Sequence, residues 1–589
     1  MDIESIKSKA SNYIEVESED PFRSEVQELL QNENWEELAD RFYTEIEFGT
    51  GGLRGVIGGG FNRINPYIVR RASAGMAAYM VEADNANSVV IAHDSRRYAK
   101  EFALNTALVF AAYGIKAYLF SGLRPTPELS FAIRELGASG GVVVTASHNP
   151  PEYNGYKVYW NDGAQVVAPH DAAIIHKVLE IQGAPRAMSL ADAQAAGLLE
   201  YIDEDMDVKF VEMVKNNVVR PEVLREYGAA AKVVFTPLHG TGAYLVERAL
   251  AEFGVQVSTV PEQREPDGEF PTVKSPNPEE GAALEMAIAQ GRREQAAIVI
   301  GTDPDGDRIG IAVPDGDDFR LITGNQLGAL LVDYVFSSRA ELGTLPPRPA
   351  FIKTIVTTEL QRRIAENLGA ACYDTLTGFK HIAGLIRDFE QQEDGPNYVI
   401  GGEESYGYMI GTEVRDKDAV SATVLTVEMA LFHVSQGKSV LQRLEEIYSE
   451  YGYFQEETIS EYFSGQQGQE TMQAMMKNLR EAPPKVFGEI TVKKVKDYKN
   501  GTSFDWASGR TNQDIDLPRS NVLQYFLEDG SIVSARPSGT EPKIKFYASC
   551  CDDDELPLPE AKKRVAEKLE MVRIEVQGWI QEAKATAGE

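Results

Sequence analysis

Residues 140–159 read GGVVVTASHNPPEYNGYKVY. Gly140 and Gly141 punctuate the start, Val142-Val143-Val144 has the character of a buried parallel strand, and Pro150-Pro151 forbid a helix directly after Asn149. The stretch therefore predicts a strand that hands Ser147 to an irregular loop. In open parallel sheets ligands bind beyond the carboxyl ends of the strands, so an exposed Ser147 flanked by His148 and Asn149 is a candidate nucleophile. The competing reading is an ordinary Ser/Asn turn that hydrogen-bonds its own backbone.

Working outward, the same plan recurs. Strands are expected near 88–92, 116–120 and 141–144, then 231–235, 255–260 and 297–300, then 351–356, 371–373 and 397–400. Helical stretches such as 102–113, 244–253 and 359–368 separate them, which predicts three related α/β units with mainly parallel sheets. The third strand of each unit runs into its richest loop: TASHNP at Thr145, GTDPDGDR at Gly301 and GGEESYGY at Gly401. This coincidence favours divergent internal repeats. From about Tyr453 the pattern changes to short alternating strands at 490–495, 521–527, 532–535 and 544–548, closed by a helix over 558–583, which predicts a C-terminal α+β domain. The expected segments are 1–205, containing an acidic helical extension and the Ser147 unit; 206–320; 321–452; and 453–589. The extension, 1–47, spaces Val26, Leu29, Leu30, Trp35, Leu38 and Phe42 on an apolar helix face. It leads into FGTGGLRGVIGGG, 48–60, where seven glycines free the backbone to approach a ligand and Arg54 is the lone charge.

A chain of 589 residues, 43% hydrophobic and 25% charged, is ordinary for a multidomain enzyme. Its formal charge of −32 argues against a general nucleic-acid surface, because such binding needs Lys and Arg against phosphates. An anionic small substrate then needs a local cationic pocket. The three cysteines, Cys372, Cys550 and Cys551, form no C-x-x-C pair, and no signal-peptide h-region or membrane-length apolar run is seen. A soluble cytoplasmic protein without membrane partners is expected.

The loops carry the chemistry. In GTDPDGDR, Asp303, Asp305 and Asp307 alternate with Pro304 and Gly306 after an apolar strand, and three hard oxygen ligands without His or Cys favour Mg2+ over Zn2+. An EF-hand would need Gly where Arg308 stands and Glu where Pro314 stands. RPSGTEPKIK, 536–545, gathers Arg536, Ser538, Gly539, Thr540, Lys543 and Lys545, a fork donor, hydroxyls and cations suited to phosphate, with a plain hairpin as the alternative. Glu403 and Ser405 on alternate residues suit neighbouring sugar hydroxyls. TLTGFKHI, 375–382, offers Thr377 and Gly378 for substrate contact, and its Lys380 and His381 either serve as acid/base groups or begin a helix. Gly437-Lys438-Ser439 is no P-loop, since the required first glycine falls at Phe432; no G-x-S-x-G surrounds Ser147 and no G-x-G-x-x-G follows a strand.

Taken in order and at these separations, TASHNP, DPDGDR, GEES and RPSGTEP closely resemble the α-D-phosphohexomutase family of phosphoglucomutases and phosphomannomutases, from Phe48 onward. The resemblance implies four domains around a central cleft, three of them related α/β units. It implies that Ser147 carries a phosphoryl group, with His148, Arg54 and Lys380 in the catalytic set. Ser147, Asp303, Asp305 and Asp307 would hold Mg2+, Glu403 and Ser405 would grip sugar hydroxyls, Arg308 would belong to the site, and the Arg536 loop would bind the non-reacting phosphate. GGEESYGY and the chain length look most like the phosphoglucomutase and phosphopentomutase branch. The implied reaction is conversion of glucose 1-phosphate to glucose 6-phosphate through glucose 1,6-bisphosphate, which also serves as activator. The alternatives are phosphopentose or phosphomannose mutation, sugar-bisphosphate synthesis and, from another class, a non-catalytic phosphosugar-binding protein.

Overall fold

A computed structural model describes residues 2–49, 51–463, 465–538, 543–552 and 556–587. They fall into two compact units, one running through Gly324 and including Ile382–Ser439, the other comprising Asn325–His381 and the residues from Val440 onward.

The first unit holds two complete sheets. One has the order Gly52–Val56, Tyr153–Trp160, Gly140–Val144, Ser88–His93, Lys116–Phe120, Leu199–Ile202. Its last four strands are parallel and its first two antiparallel. Every residue of Ser88–His93 and Gly140–Val144 is buried, which is why these strands read as continuous apolar runs rather than alternating ones. The second sheet runs Asp318–Ile322, Ile309–Asp315, Ile298–Thr302, Val233–Thr236, Val257–Thr259, again parallel in one half and antiparallel in the other. The parallel strands match the expected positions. The antiparallel ones add to them: Tyr153–Trp160 and Ile309–Asp315 fold back beside the Ser147 and Asp303 strands and carry those loops between them. An antiparallel pair, Asn397–Glu403 with Gly407–Ile410, turns through Glu404–Tyr406.

The N-terminal extension forms the helices Ile3–Val16, Phe22–Gln31 and Trp35–Phe42. Val26, Leu38 and Phe42 are buried, and Leu29, Leu30 and Trp35 pack against the same core, as their spacing predicts.

The second unit contains the parallel pair Pro349–Thr354 and Ala371–Thr375, and an antiparallel sheet in the order Tyr453–Tyr462, Lys543–Asp552, Ile532–Pro537, Leu523–Leu527, Ile490–Asp497, Thr502–Asp505, Arg510–Asn512. The helix Leu558–Ala587 covers it. An apolar cluster of Ile355, Val356, Leu376, Tyr498, Val522 and Tyr547 joins the ends of these strands. Among the described residues no helix is long and apolar enough to cross a membrane.

Candidate active site

Ser147 follows the Gly140–Val144 strand by three residues, as expected, but it is only 3% exposed. The expectation of an exposed hydroxyl is therefore corrected. The residue has φ 53°, a left-handed conformation uncommon for a residue with a Cβ and typical of strained functional loops. That conformation is held from behind. The Ser147 N–H donates to Thr145 Oγ1 at 2.8 Å, and Thr145 Oγ1 donates to buried Asp94 at 2.6 Å. Arg96, itself 3% exposed, donates to the carbonyls of Ser147 (2.6 Å), Asn149, Pro150 (2.9 Å) and Tyr153 (2.9 Å). Burial pushes Asp94 up to about 6, against the pull of Arg96.

In front of Ser147 stands the acidic loop. Ser147 Oγ donates to Asp303 Oδ2 at 2.7 Å and lies 3.2 Å from His148 Nδ1. Asp303 Oδ1 accepts the N–H groups of Asp307 and Arg308, both at 3.0 Å, which curls the loop around its own first carboxylate. Asp303, Asp305 and Asp307 are fully buried or nearly so. Burial and the two neighbouring carboxylates push Asp303 well above the usual range. Burial also works against ionised Asp305 and Asp307, yet both are lowered, because cations surround them. Lys157 Nζ donates to Asp305 Oδ2 at 2.6 Å and Asp307 Oδ2 at 3.2 Å. Lys417 Nζ lies 3.1 Å from both Asp307 Oδ2 and Asp416 Oδ1. Arg308 pairs with Glu279, and Glu403 adds to the field that keeps both Arg308 and Lys417 charged.

These residues suit a divalent cation. One oxygen from each of the three aspartates lies within 4.8 Å of the others, the one such cluster among the described residues. Asp305 Oδ1 and Asp307 Oδ1 are buried without a hydrogen-bond partner, and a cation would satisfy both. All three donors are carboxylate oxygens, which favours Mg2+ over the metals that choose nitrogen or sulfur.

Neighbouring loops hold the acidic turn in place. The Thr126 N–H donates to Asp305 O at 2.8 Å and its Oγ1 to Asp305 Oδ2 at 3.0 Å. The Ile309 N–H donates to Tyr406 O at 3.0 Å, so the turn that carries Ser405 is tied to the strand leaving the acidic loop. Glu403 ends its strand and is buried; Ser405 is half-buried in the turn. Gly407 leaves room for Lys417, since a Cβ there would come 2.0 Å from Lys417 Cδ. Arg54, on the Gly52–Val56 strand, donates to Asn149 Oδ1 at 3.1 Å. Burial first, then the charges of Arg308 and Arg54, hold His148 well below the usual imidazole range. The first unit thus brings Ser147, His148, Arg54, the three aspartates, Arg308, Glu403 and Ser405 into one neighbourhood.

The remaining candidates belong to the second unit. Thr377 and Gly378 lie between the Ala371–Thr375 strand and the helix Phe379–Glu390, whose first turn carries Lys380 and His381. Arg536 occupies the strand Ile532–Pro537, paired with Lys545, and its Nη1 donates to Tyr547 Oη at 3.4 Å. Burial, with Lys380 and Arg536 adding to it, pushes His381 down to about 4. The Ser538 N–H donates to Lys543 O at 2.7 Å, and Lys543 Nζ donates to Tyr462 Oη at 2.8 Å. Gly539 and Thr540 lie outside the described residues.

The sequence reading missed Lys157, Lys417, Arg96 and Thr126. Lys157 had a signal: it is the one charged residue of the aromatic-rich strand Tyr153–Trp160, where it is half-buried.

Comparison with known proteins agrees with this geometry. Family models described as Phosphoglucomutase/phosphomannomutase match in succession: alpha/beta/alpha domain I over 45–184, domain II over 208–316, domain III over 323–451 and the C-terminal domain over 476–566. A phosphoglucomutase of Staphylococcus haemolyticus is 36% identical over 514 residues, covering 86% of this chain and 91% of its own. A human phosphopentomutase is 35% identical over 552 residues, covering 89% and 88%. The crystal structure of pp63/parafusin, a phosphoglucomutase of Paramecium, shares the fold with a TM-score of 0.65 at 16% identity, over 90% of this chain and 96% of its own. The chain belongs to the phosphoglucomutase/phosphomannomutase family.

Proposed function

We propose that this chain is an Mg2+-dependent α-phosphoglucomutase, interconverting glucose 1-phosphate and glucose 6-phosphate through phosphoserine at Ser147 and a glucose 1,6-bisphosphate intermediate. The observation that carries this reading is the Ser147 hydroxyl, 2.7 Å from Asp303 inside a buried carboxylate cluster flanked by Lys157, Lys417 and Arg308. Phosphoryl transfer has a loose transition state with charge spread over the phosphoryl oxygens, so positioning and neutralisation do most of the work.

In this reading phosphorylated Ser147 gives its phosphoryl group to the free hydroxyl of a sugar monophosphate. The P–O bond to Ser147 breaks as the P–O bond to the sugar forms, and the proton given up by the sugar hydroxyl is balanced by the one that ends on Ser147 Oγ. The resulting bisphosphate turns over and returns its other phosphate to Ser147. Mg2+ held by Asp303, Asp305 and Asp307 would supply positive charge to the transferring phosphoryl oxygens. Arg54, His148 and Arg308 line the transfer site, and Lys157 and Lys417 keep Asp305 and Asp307 ionised. Glu403 and Ser405 take sugar hydroxyls. Arg536, Ser538, Gly539, Thr540, Lys543 and Lys545 take the phosphate that is not reacting, Thr377 and Gly378 contact the substrate, and Lys380 belongs to the catalytic set. Four segments divide this labour: 1–205 the phosphoserine, 206–320 the metal, 321–452 the sugar and 453–589 the distal phosphate. The molecule's cytoplasmic location belongs to the same proposal.

The human relative named phosphopentomutase keeps a second reading open, in which a pentose 1-phosphate is the preferred substrate. Rates on glucose, mannose and ribose 1-phosphates, measured side by side with Mg2+, separate these readings. Fastest turnover of glucose 1-phosphate supports the first, fastest turnover of ribose 1-phosphate the second, and none at all overturns both.

A further inference from the structure

The family's domain I match begins at residue 45, so the helices Ile3–Val16, Phe22–Gln31 and Trp35–Phe42 lie outside it. They do not pack at random. They close on the glycine-rich loop that follows Arg54. Glu25 Oε2 accepts the Gly59 N–H at 2.8 Å, and Arg41 Nη1 donates to Gly59 O at 3.0 Å and to Glu25 Oε2 at 2.9 Å. Both backbone polar groups of Gly59 are thus taken by one ion pair of the extension. The Asn62 N–H donates to Arg41 O at 3.0 Å, Asn62 Nδ2 donates to Asp40 O at 3.0 Å, and the Ile46 N–H donates to Phe61 O at 2.8 Å. The approach is too close for side chains: a Cβ on Gly59 would come 2.2 Å from Phe22 O. Behind the loop Tyr13 meets Phe42, Phe61 and Tyr67 edge-on and Phe42 meets Phe61 edge-on, with ring centroids 5.5–6.4 Å apart.

The gripped loop returns directly onto the strand that presents Arg54. The Ile64 N–H donates to Val56 O at 2.9 Å, and the Gly58 N–H to Ile64 O at 3.2 Å. Arg54 itself is exposed and reaches Asn149, two residues beyond Ser147. Arg54 projects from the edge strand of its sheet, paired with Tyr153–Trp160, and that strand runs straight into a glycine-rich segment with little stiffness of its own. We propose that the N-terminal helices are a brace that sets Arg54, with Arg41 and Glu25 as its positioning residues. The proposal rests on the reading of Arg54 as a phosphate-site residue.

A double-mutant cycle on the full chain separates this role from simple support of the fold. Misplacing a catalytic group by about 1 Å costs up to ~100-fold, so Arg41→Ala is expected to lower kcat/KM about 10-fold. In an Arg54→Ala background the same change is expected to cost less than about 2-fold, because the residue through which Arg41 acts is gone. Amide hydrogen exchange over 57–64 is expected to speed up in Arg41→Ala. If Arg41→Ala does not fold, Glu25→Gln replaces it in the same cycle. Equal losses in both backgrounds, unchanged kcat/KM, or unchanged exchange over 57–64 overturns the brace. An Arg54→Ala enzyme as active as the parent overturns instead the reading of Arg54, and is seen before the cycle is closed.

Discussion

The Ser147 loop and the Arg536 strand both hold groups expected to meet phosphate, and they hold them differently. Around Ser147 the loop is buried and held by a dense set of hydrogen bonds: Arg96 collects four loop carbonyls, Thr145 and Asp94 fix the Ser147 N–H, and Asp303 accepts two N–H groups besides the Ser147 hydroxyl. Around Arg536 the side chains of Arg536, Ser538, Lys543 and Lys545 are half-buried, the contact to Tyr547 is long at 3.4 Å, and Lys543 points to an exposed tyrosine. The first arrangement is built before any ligand arrives, as a site must be when charge develops within it. The second leaves its donors adaptable, which suits a subsite that must accept a phosphate from either end of one sugar.

The contrast predicts where damage is greatest. Removing a carboxylate from the buried cluster strikes the preorganised half. Asp305→Ala is expected to lower kcat by on the order of 10³-fold or more while abolishing the response to added Mg2+, with secondary structure intact by circular dichroism. Full activity in chelator would show that the triad is not a metal site.

A subtler change tests packing in the same region. In Gly407→Ala the new Cβ must displace the Lys417 side chain, so kcat is expected to fall roughly 10- to 100-fold with little change in KM. Unchanged kcat would mean that Lys417 does not act on Asp307 during turnover. In the adaptable half, Arg536→Ala is expected to raise KM for the sugar phosphate by about 10-fold and to reduce kcat less, as loss of one fork donor among several phosphate contacts should. Equal losses in kcat and kcat/KM, with KM unchanged, would place Arg536 with the preorganised group instead.

Much of this division is legible in the sequence. The strand–loop coincidences at Thr145, Gly301 and Gly401 mark the three α/β units, and the Asp spacing marks the metal loop, because both depend on residues close in sequence. Lys157, Lys417 and Thr126 are not legible in that way. Lys157 lies 148 positions from Asp305 and Thr126 lies 179 from it, and only the antiparallel return of Tyr153–Trp160 brings the lysine to the acid. Arg96 escapes for the same reason: its partners are backbone carbonyls, which have no residue type to read. Burial of Ser147 was also hidden, since a Ser/Asn/Pro-rich stretch has the composition of a surface turn.

The smallest expected effect concerns stability and belongs to the second unit. His381 is held down to about 4 by burial, Lys380 and Arg536, against an ordinary value of 6.5. The unfolded chain therefore binds the proton first, so this group's contribution is present above pH 6.5 and is lost as pH falls towards about 4. His381→Gln should flatten that part of the acid-denaturation curve and leave stability above pH 7 to the packing change alone. An unaltered slope between those values would mean that His381 titrates alike in the folded and unfolded chain.

The most direct test of the account is the chemical state of Ser147. Protein treated with phosphatase is expected to be inactive on glucose 1-phosphate and to regain activity with catalytic glucose 1,6-bisphosphate but not with ATP. Mass spectrometry of the regained enzyme should find one phosphate on the peptide containing Ser147, and Ser147→Ala should neither take up the label nor recover. Phosphate on another residue, or full turnover by unphosphorylated enzyme without the bisphosphate, would contradict the proposed mechanism.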